Sequence, residues 1–268
     1  MNENKRIVLD VKGHKIGGDW FTMIAGPCTI ENYKDLLRVA TFLKTLGIRM
    51  FRGGAYKMRT SPHSFQGLGE EGLHIIKRVA DELDMISVSE VVSVEDVELM
   101  AEHIDILQVG TRNMHNYRLL KKLGGISNPI ILKRGMCSTY DEWLLAAEHI
   151  KVAGNDRIIL CERGIRTFDN KHTRNTLDIS AVTTCKELCS YPIIIDPSHS
   201  GGKRSLVRSL SWAAAAAGAD GIILETHFQP DSTICDSQQT IDFCELEIII
   251  NKLPQLAALW NKKFQRYK

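Results

Sequence analysis

Eight short apolar runs along the chain each lead to a side chain capable of chemistry. MIAG precedes Cys28, IRMF precedes Arg52, MISVS precedes Glu90, and DILQVG comes just before Arg112. PIIL then precedes Lys133, RIILCE precedes Arg163, PIIIDPS precedes His199, and GIIL precedes Glu225. A thiol, an imidazole, two carboxylates and four cations in equivalent positions describe one pocket. Such a pocket suits a divalent ion beside small, doubly anionic substrates.

Cys28, His199 and Glu225, with Asp236 in the loop after the last run, mix soft and hard donors. That set suits a first-row divalent ion: Mn, Fe, Co or Zn. Each residue alone means little, since a lone Cys or His is usually structural. Their joint occurrence at runs one, seven and eight is what favours a metal. The anion binders are FRGGAYKMRTSP, a Gly-interleaved loop with Arg52, Lys57 and Arg59, then Arg112 in GTRN, Lys133 and Arg134 in LKRG, and Arg163 in CERG. Lys133 directly follows an apolar run, where a cation is costly unless it faces a pocket with partners. Crowded by cations, it could give a proton as well as anchor an anion. About five cations exceed what one phosphate needs, so two anionic substrates are expected.

What positions such residues equivalently is a closed sheet. Eight strands alternating with helices make a (β/α)8 TIM barrel, an α/β fold whose active site lies at the C-terminal strand ends. The 268 residues match one such domain. Residues 6–20 alternate apolar and polar about KGHK, which predicts an N-terminal β-hairpin covering the other end of the barrel. The division is hairpin 1–20, barrel 21–250 and a helical tail 251–268, with no regulatory domain. Helices are expected in each interval, including NTLDISAVTTCKELC, and Ser93 and Ser138 have N-capping character.

A net charge of +2, spread along the chain, argues against a nucleic-acid face. No apolar run approaches the ~18 residues of a membrane span, and no signal-peptide pattern is present. Seven cysteines without a repeated CxxC fit a reducing cytoplasm.

The segments AGPC, RGGAYKMRTSPHSFQGLGEEGL, ILQVGTRNM, ILKRGM, ILCERGIRTF, TRNTLDISAV, IIDPSHSGGKR and AGADGIILETH are similar to the 3-deoxy-D-arabino-heptulosonate 7-phosphate (DAHP) synthases. The form resembled is the short type I-beta core, related to the 3-deoxy-D-manno-octulosonate 8-phosphate synthases. The resemblance implies condensation of phosphoenolpyruvate with erythrose 4-phosphate, opening the shikimate route to aromatic amino acids. It implies Cys28, His199, Glu225 and Asp236 as metal ligands. Arg52, Lys57 and Lys133 would face the phosphoenolpyruvate carboxylate. Arg112 and Arg163 would hold its phosphate, with Glu90 nearby through water, and Arg59 and Thr60 would hold the sugar phosphate. Lys133, Cys28 and His199 would be the catalytic residues.

Lys57-Met58-Arg59-Thr60 has Met where the heptulosonate enzymes carry Pro, and is one residue shorter than the octulosonate pattern. The spacing favours the four-carbon sugar. The alternative is an octulosonate 8-phosphate synthase or a paralogue using another aldose phosphate. Two further classes are a Schiff-base aldolase with Lys133 as nucleophile and a non-catalytic barrel. A homo-oligomer, dimer or tetramer, is expected, and the chain is either unregulated or regulated through a partner protein or its own subunit interface.

Overall fold

The computed structural model describes residues 6–59, 61–169 and 171–267. Strands β1 (Leu9–Val11) and β2 (His14–Ile16) pair antiparallel. Lys12 and Gly13 turn between them with φ of 49° and 78°. Two successive left-handed residues suit the right-handed twist of a two-residue hairpin, so the expected hairpin is present.

Eight strands follow: β3 (Trp20–Gly26), β4 (Met50–Arg52), β5 (Ile86–Val91), β6 (Ile106–Val109), β7 (Ile130–Lys133), β8 (Ile158–Glu162), β9 (Ile193–Ile195) and β10 (Gly221–Glu225). Each pairs parallel with the next, and β10 pairs back onto β3 with Glu225 opposite Gly26. The sheet is therefore closed, as a (β/α)8 barrel requires. Helices α1 (Tyr33–Thr45), α2 (Glu70–Leu83), α3 (Val97–His103), α4 (Tyr117–Leu123), α5 (Tyr140–Val152) and α6 (Ser180–Leu188) follow β3 to β8. The short α7 (Pro197–Gly201) and long α8 (Arg204–Ala216) follow β9, and α9 (Phe243–Ala257) follows β10.

The period of two along each strand decides what reaches the pocket. Ile24, Met50, Val88, Ile106, Ile131, Ile159, Ile194 and Ile223 cluster inside the barrel with Leu9, Val11 and Ile16 of the hairpin. Neighbours such as Met23, Ile130, Leu132, Ile158, Leu160 and Leu224 pack in the outer layer with the helices. Both faces are buried, hence the unbroken apolar runs. Two residues further along the inward set stand Gly26, Arg52, Glu90, Gln108, Lys133, Cys161, Asp196 and Glu225. Gly26 is needed there: at φ 151° a Cβ would lie 2.1 Å from the Arg52 carbonyl oxygen.

The hairpin seals the opposite end. His14 is 3% exposed, and its Nε2 has no hydrogen-bond partner among the described residues. Burial, then the nearby Arg49 charge, lower its pKa to about 4 from the ordinary 6.5. The unfolded chain therefore binds this proton more readily. The neutral form's full stability is present above pH 6.5 and is lost as pH falls towards 4, by about 3 kcal/mol. Melting temperature should fall across that window, and His14→Leu should flatten the slope. An unchanged slope in the variant would remove His14 as the cause.

Three expectations need correction. The helix after β8 begins at Ser180 rather than near Asn175. Asn175 is instead buried, with Nδ2 donating to the His199 carbonyl at 3.1 Å. The α5 cap is Thr139, in a reciprocal capping box with Glu142, and not Ser138. Ser138 is buried and accepts from Arg134 Nε through its carbonyl. The tail is helical only to Ala257, followed by a 3-10 turn over Ala258–Trp260. Asn261 then turns at φ 55°, and β11 (Lys263–Phe264) pairs parallel with the start of β3.

Candidate active site

The mouth of the barrel holds a cavity of about 300 Å³. Lys57, Arg59, Glu90, Arg112, Lys133, Arg163, Arg174, His199 and Asp236 line it, with Arg52 and Cys28 in a smaller recess beneath, also bordered by Lys57 and Glu90. Candidates from all eight strand ends or the loops after them thus converge. Thr60 lies outside the described residues.

The four proposed metal donors are neighbours. Ligand atoms of His199, Glu225 and Asp236 lie within 4.8 Å of one another, as do those of Cys28, Cys235 and Asp236. His199 Nε2 is 3.4 Å from Glu225 Oε1 and 4.0 Å from Asp236 Oδ2, and Cys28 Sγ is 3.2 Å from Asp236 Oδ2. Their titration suits a cation. Burial would raise the Asp236 carboxyl, but Lys57 and His199 hold it well below the usual carboxylate range. Glu225, fully buried, is likewise held low against burial by His199, Arg52 and Lys57. Burial lowers the pKa of His199 against the pull of Asp196 and Glu225, in the direction of the neutral imidazole that metals bind. Burial and the Cys235 contact push the Cys28 thiol up, and a coordinated metal ion deprotonates such a thiol outright.

Asp196 was not among the residues singled out from the sequence, yet it organises the site. It is fully buried at the end of β9. One oxygen, Oδ2, accepts from Lys133 Nζ at 2.5 Å and faces His199 Nδ1 at 2.7 Å. The other accepts the His199 backbone N–H at 2.9 Å. Despite burial, His199 and Lys133 keep its carboxyl well below the ordinary range. An ionised acceptor at Nδ1 fixes the proton there and turns Nε2 free towards the other donors. The available signal was IIIDPSH: a carboxylate closing an apolar run, three residues before a His on a short helix.

The cations divide into two groups. Arg52 donates to Glu225 at 3.0 Å and to the Cys28 carbonyl at 3.2 Å, and Lys57 Nζ donates to Cys28 Sγ at 2.9 Å. Burial disfavours both charges, but Glu225 and the Cys28 sulfur raise their pKa values. Arg59 lies against Cys235 Sγ at 2.7 Å. Arg163 is 4% exposed and donates to the Gly164 carbonyl at 3.3 Å. A buried guanidinium so lightly engaged is costly unless an anion joins it. Gln108, also absent from the sequence reading, donates to Glu90 at 3.3 Å. Gly110 leaves room for that carboxylate, since a Cβ there would lie 2.1 Å from Glu90 Oε1.

Arg134 does not join the anion binders. It follows inward-facing Lys133, so the strand alternation turns it outward. There it pairs with Glu162 at 3.1 Å and Asp178 at 2.7 Å and stacks over Tyr140. Lys133 is consequently not crowded by that neighbour. Arg174, from the loop before α6, takes its place as a cavity cation that the sequence reading missed.

Comparison with known proteins was consistent with this geometry. The family model described as the DAHP synthetase I family matches residues 5–261. Phospho-2-dehydro-3-deoxyheptonate aldolase of Thermotoga maritima is 50% identical over 250 residues, spanning 93% of this chain and 74% of that protein. The 2-dehydro-3-deoxyphosphooctonate aldolase of Geobacter sulfurreducens is 33% identical over 264 residues, spanning 91% and 96%. The crystal structure of the Thermotoga maritima enzyme superposes with a TM-score of 0.94 at 48% identity, over 98% of this chain and 76% of that one. A truncated form of 3-deoxy-D-arabino-heptulosonate 7-phosphate synthase from Thermotoga maritima gives 0.91 at 45%, over 98% and 96%.

Proposed function

The chain belongs to the DAHP synthetase I family, and on that premise we propose that its pocket condenses phosphoenolpyruvate with erythrose 4-phosphate and water. The products are 3-deoxy-D-arabino-heptulosonate 7-phosphate and inorganic phosphate. The observation that carries this reading is one cavity lined at once by His199, Asp236 and six cations. It has room and charge for two anions beside a divalent ion.

Cys28, His199, Glu225 and Asp236 would hold the ion, and the mixed donor set fits Mn, Fe, Co or Zn. When bound, such an ion polarises the aldehyde oxygen of the sugar as a Lewis acid. The remaining work is positional. Arg52, Lys57 and Lys133 face the carboxylate of phosphoenolpyruvate, Arg112 and Arg163 its phosphate, and Arg59 with Thr60 the sugar phosphate. Holding two mutually repelling anions in contact removes much of the entropic cost of their meeting. A carbon–carbon bond forms between C3 of phosphoenolpyruvate and C1 of the aldose. Water adds at C2, and the C2–O bond to phosphate breaks. Glu90, which accepts from Gln108, would orient that water. Lys133, besides anchoring the carboxylate, can deliver a proton to the new hydroxyl.

The Schiff-base alternative is disfavoured by the ion pair between Lys133 and Asp196; an amine so engaged is no free nucleophile. No helix among the described residues is long and apolar enough to cross a membrane. Seven free thiols support placement in a reducing cytoplasm. A homo-oligomer, dimer or tetramer, is supported by exposed Leu145 and Val152, two turns apart on one face of α5.

Phosphate release from phosphoenolpyruvate with a panel of aldose phosphates tests the reading. Erythrose 4-phosphate should give the highest kcat/KM, because Lys57 to Thr60 has the shorter spacing. A higher value with arabinose 5-phosphate would transfer the chain to the octulosonate reaction.

A further inference from the structure

We propose that Gln239 is a positioning residue for Glu225 as a metal ligand, with its amide locked in orientation by Arg174. The inference rests on the metal reading above.

Gln239 is 2% exposed. Its Nε2 donates to Glu225 Oε2 at 2.6 Å, and its Oε1 accepts from Arg174 at 3.0 Å. The assignment of the two amide atoms follows from their partners. A guanidinium only donates and a carboxylate only accepts, so the amide fits between them one way round. With Oε2 occupied, Glu225 turns Oε1 towards His199 Nε2 at 3.4 Å. That oxygen, which also accepts from Arg52 at 3.0 Å, is the one on the side of the other donors.

Gln239 also ties this strand-end ligand to the loop ligand. Its backbone N–H donates to the Asp236 carbonyl at 3.2 Å, and Thr240 Oγ1 donates to the same carbonyl at 3.1 Å. Asp236 itself sits at φ 53°, the left-handed conformation of a tight turn. One buried residue thus fixes the carboxylate of Glu225 through its side-chain amide and the turn that presents Asp236 through its backbone N–H. Arg174 is held in its turn by the α7 segment: its N–H donates to the Gly201 carbonyl at 3.1 Å. Gly202 leaves the room it needs, since a Cβ there would lie 2.3 Å from Arg174 Cβ.

The experiment titrates the metal-free chain with Co²⁺ alone and follows the thiolate-to-cobalt absorption band from Cys28. Gln239→Met keeps the length and removes both hydrogen bonds. It should raise the cobalt Kd about 10- to 100-fold. Arg174→Met should raise it by a smaller factor in the same direction. Gln239→Asn, an amide one methylene too short, should resemble Gln239→Met. Melting of the metal-free chains separates misfolding from weakened binding. In a Glu225→Ala background the Gln239→Met effect should vanish. Equal Kd values for wild type and both Gln239 variants overturn the proposal, as does an undiminished effect without Glu225. A wild-type chain that takes up cobalt with no thiolate band overturns the Cys28 assignment, and the Kd comparison still decides for Gln239. A wild type that binds no cobalt sinks the metal reading and this inference with it.

Discussion

Exhaustive chelation should lower phosphate release by at least about a thousandfold, and returning Mn²⁺, Co²⁺ or Zn²⁺ should restore it. The size follows from the several kcal/mol that a Lewis acid supplies to a developing oxyanion. Cys28→Ala should resist that rescue, because the chain then lacks its soft donor. Cys235 sharpens the test. Its sulfur lies 3.0 Å from that of Cys28, and the two share Asp236 in one potential ligand cluster. The Cys28 contact lowers the Cys235 pKa, so geometry alone leaves two candidate thiolates. Cys28 lies on the same recess as Arg52 and Lys57, whereas Cys235 is paired with Arg59. Cys235→Ser should therefore keep activity within about tenfold of wild type. If Cys235→Ser loses as much as Cys28→Ala, the ligand assignment is wrong. Full activity after chelation would remove the ion from the reaction altogether.

The barrel was legible because its signal is local and repeated. Each strand announces itself as an apolar run, and a period of two puts Arg52, Lys133 and Glu225 on the inward side without knowledge of any contact. The same rule, applied one residue further, would have excluded Arg134. That error came from treating adjacent cations in LKRG as one group. Asp196 and Gln239 were harder. Neither a lone Asp nor a lone Gln is chemically distinctive, and each matters through a partner far along the chain: Lys133 for Asp196, Glu225 and Arg174 for Gln239. Arg174 immediately precedes NTLDISAVTTCKELC, the stretch expected to be helical, whose first residues instead pack beside the His199 helix. The tail was misjudged for a similar reason. Its amphipathic pattern is real, but beyond Asn261 pairing with Trp20 and Phe21 at the start of β3 replaces the helix.

Lys133→Met should lower kcat/KM by at least about a hundredfold and also destabilise the metal-free fold. The first effect is loss of a charge-assisted contact to substrate, about 1.5–3 kcal/mol, together with loss of a proton donor. The second arises because Lys133 and Asp196 form a buried pair, 5% and 0% exposed. Removing the cation leaves a buried carboxylate with His199 alone, a situation costing about 3–5 kcal/mol. Its pH dependence has a definite sign. In the wild type Asp196 titrates well below the ordinary range, so its contribution is present above about pH 4 and is lost as pH falls. Without Lys133 the carboxyl takes up a proton more readily. The stability gap between wild type and variant should therefore be widest at neutral pH and close on acidification. Adding Asp196→Asn to Lys133→Met should recover stability, since no buried charge then stands uncompensated, but should not recover turnover. Melting curves and phosphate release on the three variants separate the outcomes. If the double variant regains activity along with stability, Lys133 acts only by neutralising Asp196 and has no direct part in holding the substrate.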